Sequence, residues 1–196
     1  MLEFDGARLT KRLSSLSIQK RLAFMLFLCE RMMPEFLRFA GDTGYGLSTY
    51  LESLGKGWGY LEGKLEPDSY ENLARRCLDG APDTEDFDHI LTSAALNAAL
   101  SIGDLMLFLA DQHIDHIVEA AGLARDTVAM YVDRTQSVPP VSLPLDRIMK
   151  HPLVQQELRR QDEDLAFLTE LPNYVNQETV PLLRERSRRS PDMLDL

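Results

Sequence analysis

Histidines and carboxylates one helical turn apart are the residues of this chain with the clearest capacity for chemistry. Helical bundles can hold metal ions with carboxylates and with Glu-x-x-His pairs that project inward. Here Asp86 precedes His89 by one turn, and His113 precedes His116 by one turn. The pattern does not recur on a second helix, and solvated charges with an isolated hydrogen-bonded histidine explain the same residues. The sequence therefore predicts no metal and no cofactor.

A polar cluster is the remaining candidate for an enzyme or a metal protein. Acid–base chemistry requires a pocket and shifted pKa values, whereas ion pairs between helices serve packing. No nucleophile supports an enzyme, because neither Cys29 nor Cys77 has a clear neighbouring histidine and no Gly-x-Ser-x-Gly sequence occurs. A non-enzymatic role is the preferred hypothesis, with an enzyme or metal-binding bundle as an alternative. The candidate cluster is Glu30, Arg31, His116 and Glu119.

Residues 117–133 are similar to the helix-turn-helix of bacterial repressors. Gly122 would make the turn between two short helices, and Thr127 would lie in the second helix. Base edges are contacted best by Arg, Lys, Asn and Gln, and among the outward positions of the second helix Arg125 alone qualifies. Residues 111–134 carry five acids against two bases, whereas a DNA-binding helix pair normally neutralises phosphates. An ordinary packing joint is the preferred interpretation, and a DNA-binding regulator is the alternative.

The chain is acidic, which disfavours polyanionic partners. Its 196 residues carry 21 basic and 31 acidic side chains, a net charge of −10. That charge opposes binding to nucleic acids and to anionic membrane surfaces. The longest apolar run, residues 22–29, is far shorter than the roughly 20 residues that span a bilayer. Two cysteines without a C-x-x-C spacing indicate a reduced, cytoplasmic protein. The basic run of Arg184, Arg186, Arg188 and Arg189 is expected at the C-terminal end of a helix.

Apolar residues recur every three to four positions through most of the chain, which predicts an all-α fold. Two such ladders predict a central helix pair at residues 87–112 and 113–135. A third, at residues 47–65, predicts a helix despite four glycines, which would let a neighbouring helix approach closely. Helices are also expected at residues 6–14, at residues 66–78 and after Pro152. A further helix is expected after Ser17, with a bend near Pro34.

These elements predict a helical bundle of about seven or eight helices. Hydrophobic residues make up 44% of the chain, enough for a substantial core. We expect a single domain over residues 1–190 and a frayed C-terminal tail over residues 191–196.

Several short stretches occur in a fixed order along most of the chain. They are Leu28-Cys29-Glu30-Arg31-Met32 with Pro34, Thr43-Gly44-Tyr45-Gly46, Asp86-Phe87-Asp88, His116 with Val118-Glu119, Thr127-Val128-Ala129-Met130, and Pro152-x-Val154-x-Gln156-Glu157. Together they resemble the YjaG-like proteins, an uncharacterised bacterial family of unknown function. The resemblance implies an all-helical bacterial cytoplasmic protein and brings no activity, cofactor or catalytic residue. The predicted role is that of a cytoplasmic interaction or accessory protein, which pairs with a protein partner or with a second copy through an exposed helix face.

Overall fold

The computed structural model describes residues 1–66, 69–136, 142–172, 175, 178–188 and 193–194. Within these ranges there is no strand, which confirms the all-α prediction. The described helices are nine rather than seven or eight, in part because no apolar ladder indicated the five-residue α7. The helices are α1 (Gly6–Ser14), α2 (Ile18–Thr43), α3 (Ser48–Leu61), α4 (Tyr70–Asp79), α5 (Thr92–Asp111), α6 (Ile114–Gln136), α7 (Leu145–Met149), α8 (Pro152–Glu170) and α9 (Thr179–Arg188).

Helices α2, α5 and α6 form the centre of the bundle. All eight residues at positions 22–29 of α2 are buried, so this stretch is surrounded by other helices. Ile102 of α5 and Val128 of α6 are fully buried, as the two central ladders predict. In the described part of the chain, α5 is the one helix long and apolar enough to cross a membrane, and 67% of its most apolar stretch is buried inside the protein. Helix α5 is therefore placed as the core helix of a globular bundle.

The central helix pair begins later than predicted. Helix α5 starts at Thr92 rather than near residue 87, and residues 84–86 form a turn before it. The hydroxyl of Thr92 donates to the carbonyl oxygens of Phe87 (3.1 Å) and His89 (2.9 Å). These bonds hold residues 87–91 in a non-helical path, so the acidic residues at 84–86 do not lie at the helix N-terminus.

Helix α6 is uninterrupted, as the apolar ladder at residues 113–135 predicts, so the turn that a helix-turn-helix would place at Gly122 does not form. Residues 117–133 lie wholly inside Ile114–Gln136. A Cβ on Gly122 would meet only the ring of Phe4, at an ordinary 3.8 Å, so this glycine makes neither a turn nor a close helix contact. The helix-turn-helix interpretation therefore loses its structural basis. Helix α2 likewise continues through Pro34, so the bend predicted there does not divide it.

The glycine-rich third ladder does form a helix, α3. A Cβ added to Gly57 would lie 2.9 Å from Cδ2 of Leu26 and 3.3 Å from Cδ2 of Leu105. Glycine at this position therefore lets α3 pack against α2 and α5 at close range, as predicted. Gly55 differs, because no atom lies within 4 Å of its Cβ position.

Part of the C-terminal segment expected to fray is docked. Met193 and Leu194 are each only 3% exposed and join the hydrophobic core. The backbone N–H of Leu194 donates to the carboxylate of buried Glu35 at 3.2 Å. The other residues of 191–196 lie outside the described residues.

Candidate functional site

Arg31 lies at the centre of a buried ionic network that joins three helices. Its Nη2 donates to Oε1 of Glu157 on α8 at 3.2 Å, and its Nη1 donates to Oδ2 of Asp164 on the same helix. Arg186 of α9 donates from Nε to the other Asp164 oxygen at 2.9 Å. Gln161 adds a bond of 2.9 Å to Glu157. Residues from α2, α8 and α9 thus neutralise one another inside the protein.

The surroundings of Arg31 favour packing over catalysis. The side chains of Arg31 and Glu157 are each 1% exposed, so solvent does not reach them. Burial acts to lower the pKa of Arg31, but the charges of Glu157 and Asp164 outweigh it and raise that pKa. The guanidinium therefore stays charged, which suits a permanent ion pair and not a group that exchanges protons.

His116 connects the end of α5 to the start of α6. Its Nδ1 lies 3.5 Å from Oδ1 of Asp104, and its Nε2 lies 3.0 Å from Oδ2 of Asp111. Burial raises the pKa of Asp104 to about 6, although His116 acts in the opposite direction. The charge of exposed Glu119 also raises the pKa of Asp104. His116 and Glu119 therefore share one neighbour, Asp104, which sequence reasoning missed.

Glu30 has a third, separate environment. Its Oε1 accepts a hydrogen bond of 2.7 Å from Nε1 of Trp58 on α3. The guanidinium of Arg184 on α9 lies over the Trp58 ring, 4.6 Å from its centroid, and donates to Glu62 at 3.1 Å. Glu30 therefore belongs to the contact between α2, α3 and α9.

The structure thus distributes the four predicted site residues over three places. Over the described ranges, no hydrogen bond or ion pair joins any two of Glu30, Arg31, His116 and Glu119. A signal for the missed partners was present in the sequence, since Asp104 directly precedes core Leu105 and Asp164 directly precedes core Leu165. In the same ranges, no group of three or more His, Cys, Asp or Glu side chains could hold a metal ion.

Part of the basic run lies at the C-terminal end of α9, as expected, and Arg184 and Arg188 line an open groove. Arg186 and Arg188 lie in the last turn of α9, while Arg189 is outside the described residues. The groove, about 760 Å³ in volume, lies between the end of α3 and α9. Lys64 and Arg184 both pair with Glu62 in this groove and lower the pKa of its carboxyl. Glu62 therefore balances much of the positive charge of the groove.

The outer side of α2 and α3 carries exposed leucines. The rings of Phe36 and Tyr50 lie 4.9 Å apart and fix the antiparallel register of the two helices. Leu37 and Leu51 each follow one residue later, so both lie on the same outer side of the helix pair, and they are 49% and 50% exposed. We call this surface the α2–α3 face; it comprises Leu37, Arg38, Gly41 and Asp42 of α2 and Leu51, Glu52, Gly55 and Lys56 of α3.

Comparisons with known proteins agree with this fold. The family model described as "Protein of unknown function (DUF416)" matches residues 8–191. The uncharacterised protein YjaG of Escherichia coli K12 is 29% identical over 161 residues, covering 81% of each chain. An uncharacterised protein of Haemophilus influenzae is 28% identical over 126 residues, covering 63% of this chain and 64% of its own.

A crystal structure of a relative has the same fold. A DUF416 family protein from Shewanella baltica OS155 superposes with a TM-score of 0.78 at 25% identity, over 91% of this chain and 92% of its own. The resemblance to YjaG-like proteins is therefore confirmed, and these relatives bring no known activity. The match over nearly the whole length shows that the chain belongs to the DUF416 family.

Proposed function

We propose that the chain is a cytoplasmic accessory protein that acts by associating with protein through the α2–α3 face. The observation that carries the proposal is the pair of half-exposed leucines, Leu37 and Leu51, on the same outer side of α2 and α3. Scattered single apolar residues are ordinary on a protein surface, but a contiguous apolar patch with a charged rim is typical of an interaction site. Here charged residues border the leucines on both sides.

The chemistry-bearing side chains support association over group transfer. Arg31 and Arg186 together neutralise Glu157 and Asp164, and Arg31 and both carboxylates lie out of reach of solvent. The two cysteines are buried free thiols, and burial raises the pKa of Cys29 well above its ordinary value. A thiol held in its protonated form is a poor nucleophile. Free cysteines also suit the reducing cytoplasm.

Site-specific photo-crosslinking in the native bacterium tests this proposal. A photoreactive amino acid at Leu51 should give an adduct of one defined mass, and Leu37→Asp in the same chain should abolish that adduct. The matched control is the same photoreactive residue at Leu145 of α7, which is 71% exposed and distant in sequence. Absence of an adduct at position 51, or an equal yield at position 145, would rule the proposal out.

A further inference from the structure

We infer that Asp104, Asp111 and His116 form a pH-sensitive latch on the corner where α5 meets α6. The latch is closed while a proton lies between Asp104 and His116, and it opens when that proton is lost. The inference goes beyond the proposed function, because the corner shares no residue with the α2–α3 face.

The corner is a short connection in a constrained conformation. Helix α5 ends at Asp111 and α6 begins at Ile114, so Gln112 and His113 make the whole turn. Gln112 has a φ of 62°, and among the described residues it is the one non-glycine residue in the left-handed region. That conformation is unfavourable for a residue with a Cβ, so other contacts of the corner must hold it.

Asp111 provides such contacts as an ionised carboxylate. Its Oδ1 accepts the backbone N–H of His113 at 2.8 Å, and its Oδ2 lies 3.0 Å from Nε2 of His116. Burial acts to raise the pKa of Asp111, but the His113 N–H and His116 outweigh it and lower that pKa. An ionised carboxylate only accepts hydrogen bonds, so Nε2 of His116 carries a hydrogen and donates it.

Asp104 faces the other nitrogen of the same ring. Its Oδ1 lies 3.5 Å from Nδ1 of His116. When Nε2 carries the hydrogen, a neutral imidazole has only a lone pair at Nδ1, and an ionised carboxylate repels that lone pair. A proton in this contact removes the repulsion, whether it resides on Oδ1 of Asp104 or on Nδ1. The contact between Asp104 and His116 therefore depends on a bound proton.

The surroundings of Asp104 help it to retain that proton. Its side chain is 15% exposed, and burial is the largest cause that raises its pKa to about 6. In the described part of the chain, the charges that act on this carboxyl belong to α6, where His116 lowers its pKa and Glu119 raises it. Helix α2 brings the thiol of Cys29 near, since burial and then the charges of Glu30 and Asp104 raise the pKa of that thiol.

The direction of the switch follows from the raised pKa of Asp104. In an open corner this carboxyl would be solvated and would have its ordinary pKa of 3.8, against about 6 in the closed corner. The closed corner therefore binds the proton more tightly. This contribution to its stability is full below pH 3.8 and is lost as pH rises through about 6. Linkage of one proton between these values predicts that the opening equilibrium rises about tenfold between pH 5 and pH 7.

Amide hydrogen exchange of the full chain at pH 5 and pH 7 measures this opening, once the rates are corrected for intrinsic exchange. The opening equilibrium of residues 112–120 should rise about tenfold in the wild type. Asp104→Asn should abolish the rise, because the side-chain amide donates to Nδ1 of His116 at both pH values. The first turn of α2 is the internal reference, since its N-cap is Ser17, which does not titrate.

A matched variant and a second measurement complete the test. Asp115→Asn replaces an exposed acid beside His116 and should leave the tenfold rise intact. The nitrogen chemical shifts of the His116 ring in the wild type should place the hydrogen of the neutral form on Nε2, a result that depends on no variant.

Three outcomes would each overturn the latch. One is a wild type whose corner opens no more at pH 7 than at pH 5, relative to the first turn of α2. Another is a rise that persists in Asp104→Asn or disappears in Asp115→Asn. The third is a neutral His116 with its hydrogen on Nδ1. Circular dichroism verifies that each variant keeps its helices.

Discussion

Replacing Arg31 with methionine should destabilise the protein strongly. The substitution would leave the carboxylate of Glu157, with 1% exposure, buried without its cation. Asp164 would keep Arg186 at 2.9 Å, so one negative charge and not two would lose its partner. Removing one member of a buried ion pair costs about 3–5 kcal/mol. We expect the free energy of unfolding to fall by an amount in the lower half of that range.

Chemical denaturation at one fixed protein concentration measures this loss. With a slope of about 2 kcal/mol per molar urea, a loss of about 3–4 kcal/mol moves the midpoint by about 1.5–2 M. The double variant Arg31→Met with Glu157→Gln removes the charge as well as its partner and should recover much of the stability, because a buried pair can be replaced with little net change.

A surface ion pair provides the matched control. Arg12 pairs with Asp162 while their side chains are 33% and 40% exposed, so Arg12→Met should cost no more than about 1 kcal/mol. If Arg31→Met costs as little as Arg12→Met, or if Glu157→Gln adds a further loss to Arg31→Met, the description of a tightly buried network is refuted.

Three further substitutions test other parts of the structure. Burial raises the pKa of Asp104 from 3.8 to about 6, so the folded chain binds this proton more tightly than the unfolded chain and loses stability as pH rises through that window. Asp104→Asn should remove this loss, so urea titrations should show the variant gaining stability relative to wild type between about pH 4 and pH 6; a constant difference would contradict the shift. Gly57→Ala places a Cβ 2.9 Å from a buried leucine and should lower the melting temperature, whereas Gly59→Ala, whose contact is an ordinary 3.7 Å, should not; equal effects would refute the close packing. Leu194→Ala should cost about 2 kcal/mol or more in urea titrations, against less than about 0.5 kcal/mol for exposed Leu145→Ala, unless the C-terminal residues are undocked.

The fold was predictable because its main signal is local. Apolar residues at a spacing of three to four positions identify helices without knowledge of their neighbours, so α3, α5 and α6 follow from the sequence. Glycine is a weaker signal, since one glycine costs a helix only about 1 kcal/mol and tertiary packing overrides it. For that reason Gly122 sits inside α6, where the resemblance to a helix-turn-helix would have required a turn.

The polar contacts were less predictable because they join distant parts of the chain. Arg31 and Asp164 are 133 positions apart, and no local pattern relates them. The predicted start of α5 was wrong for another reason. The hydrogen bonds from the Thr92 hydroxyl to the carbonyl oxygens of residues 87 and 89 depend on one loop conformation, which no local pattern encodes.

The most direct test is the yield of the crosslinked adduct in the native bacterium from a photoreactive residue at Leu51, measured beside the same residue at Leu145. Association through the α2–α3 face predicts an adduct of one defined mass at position 51 that Leu37→Asp abolishes. A yield at position 51 no higher than that at position 145 would contradict the account.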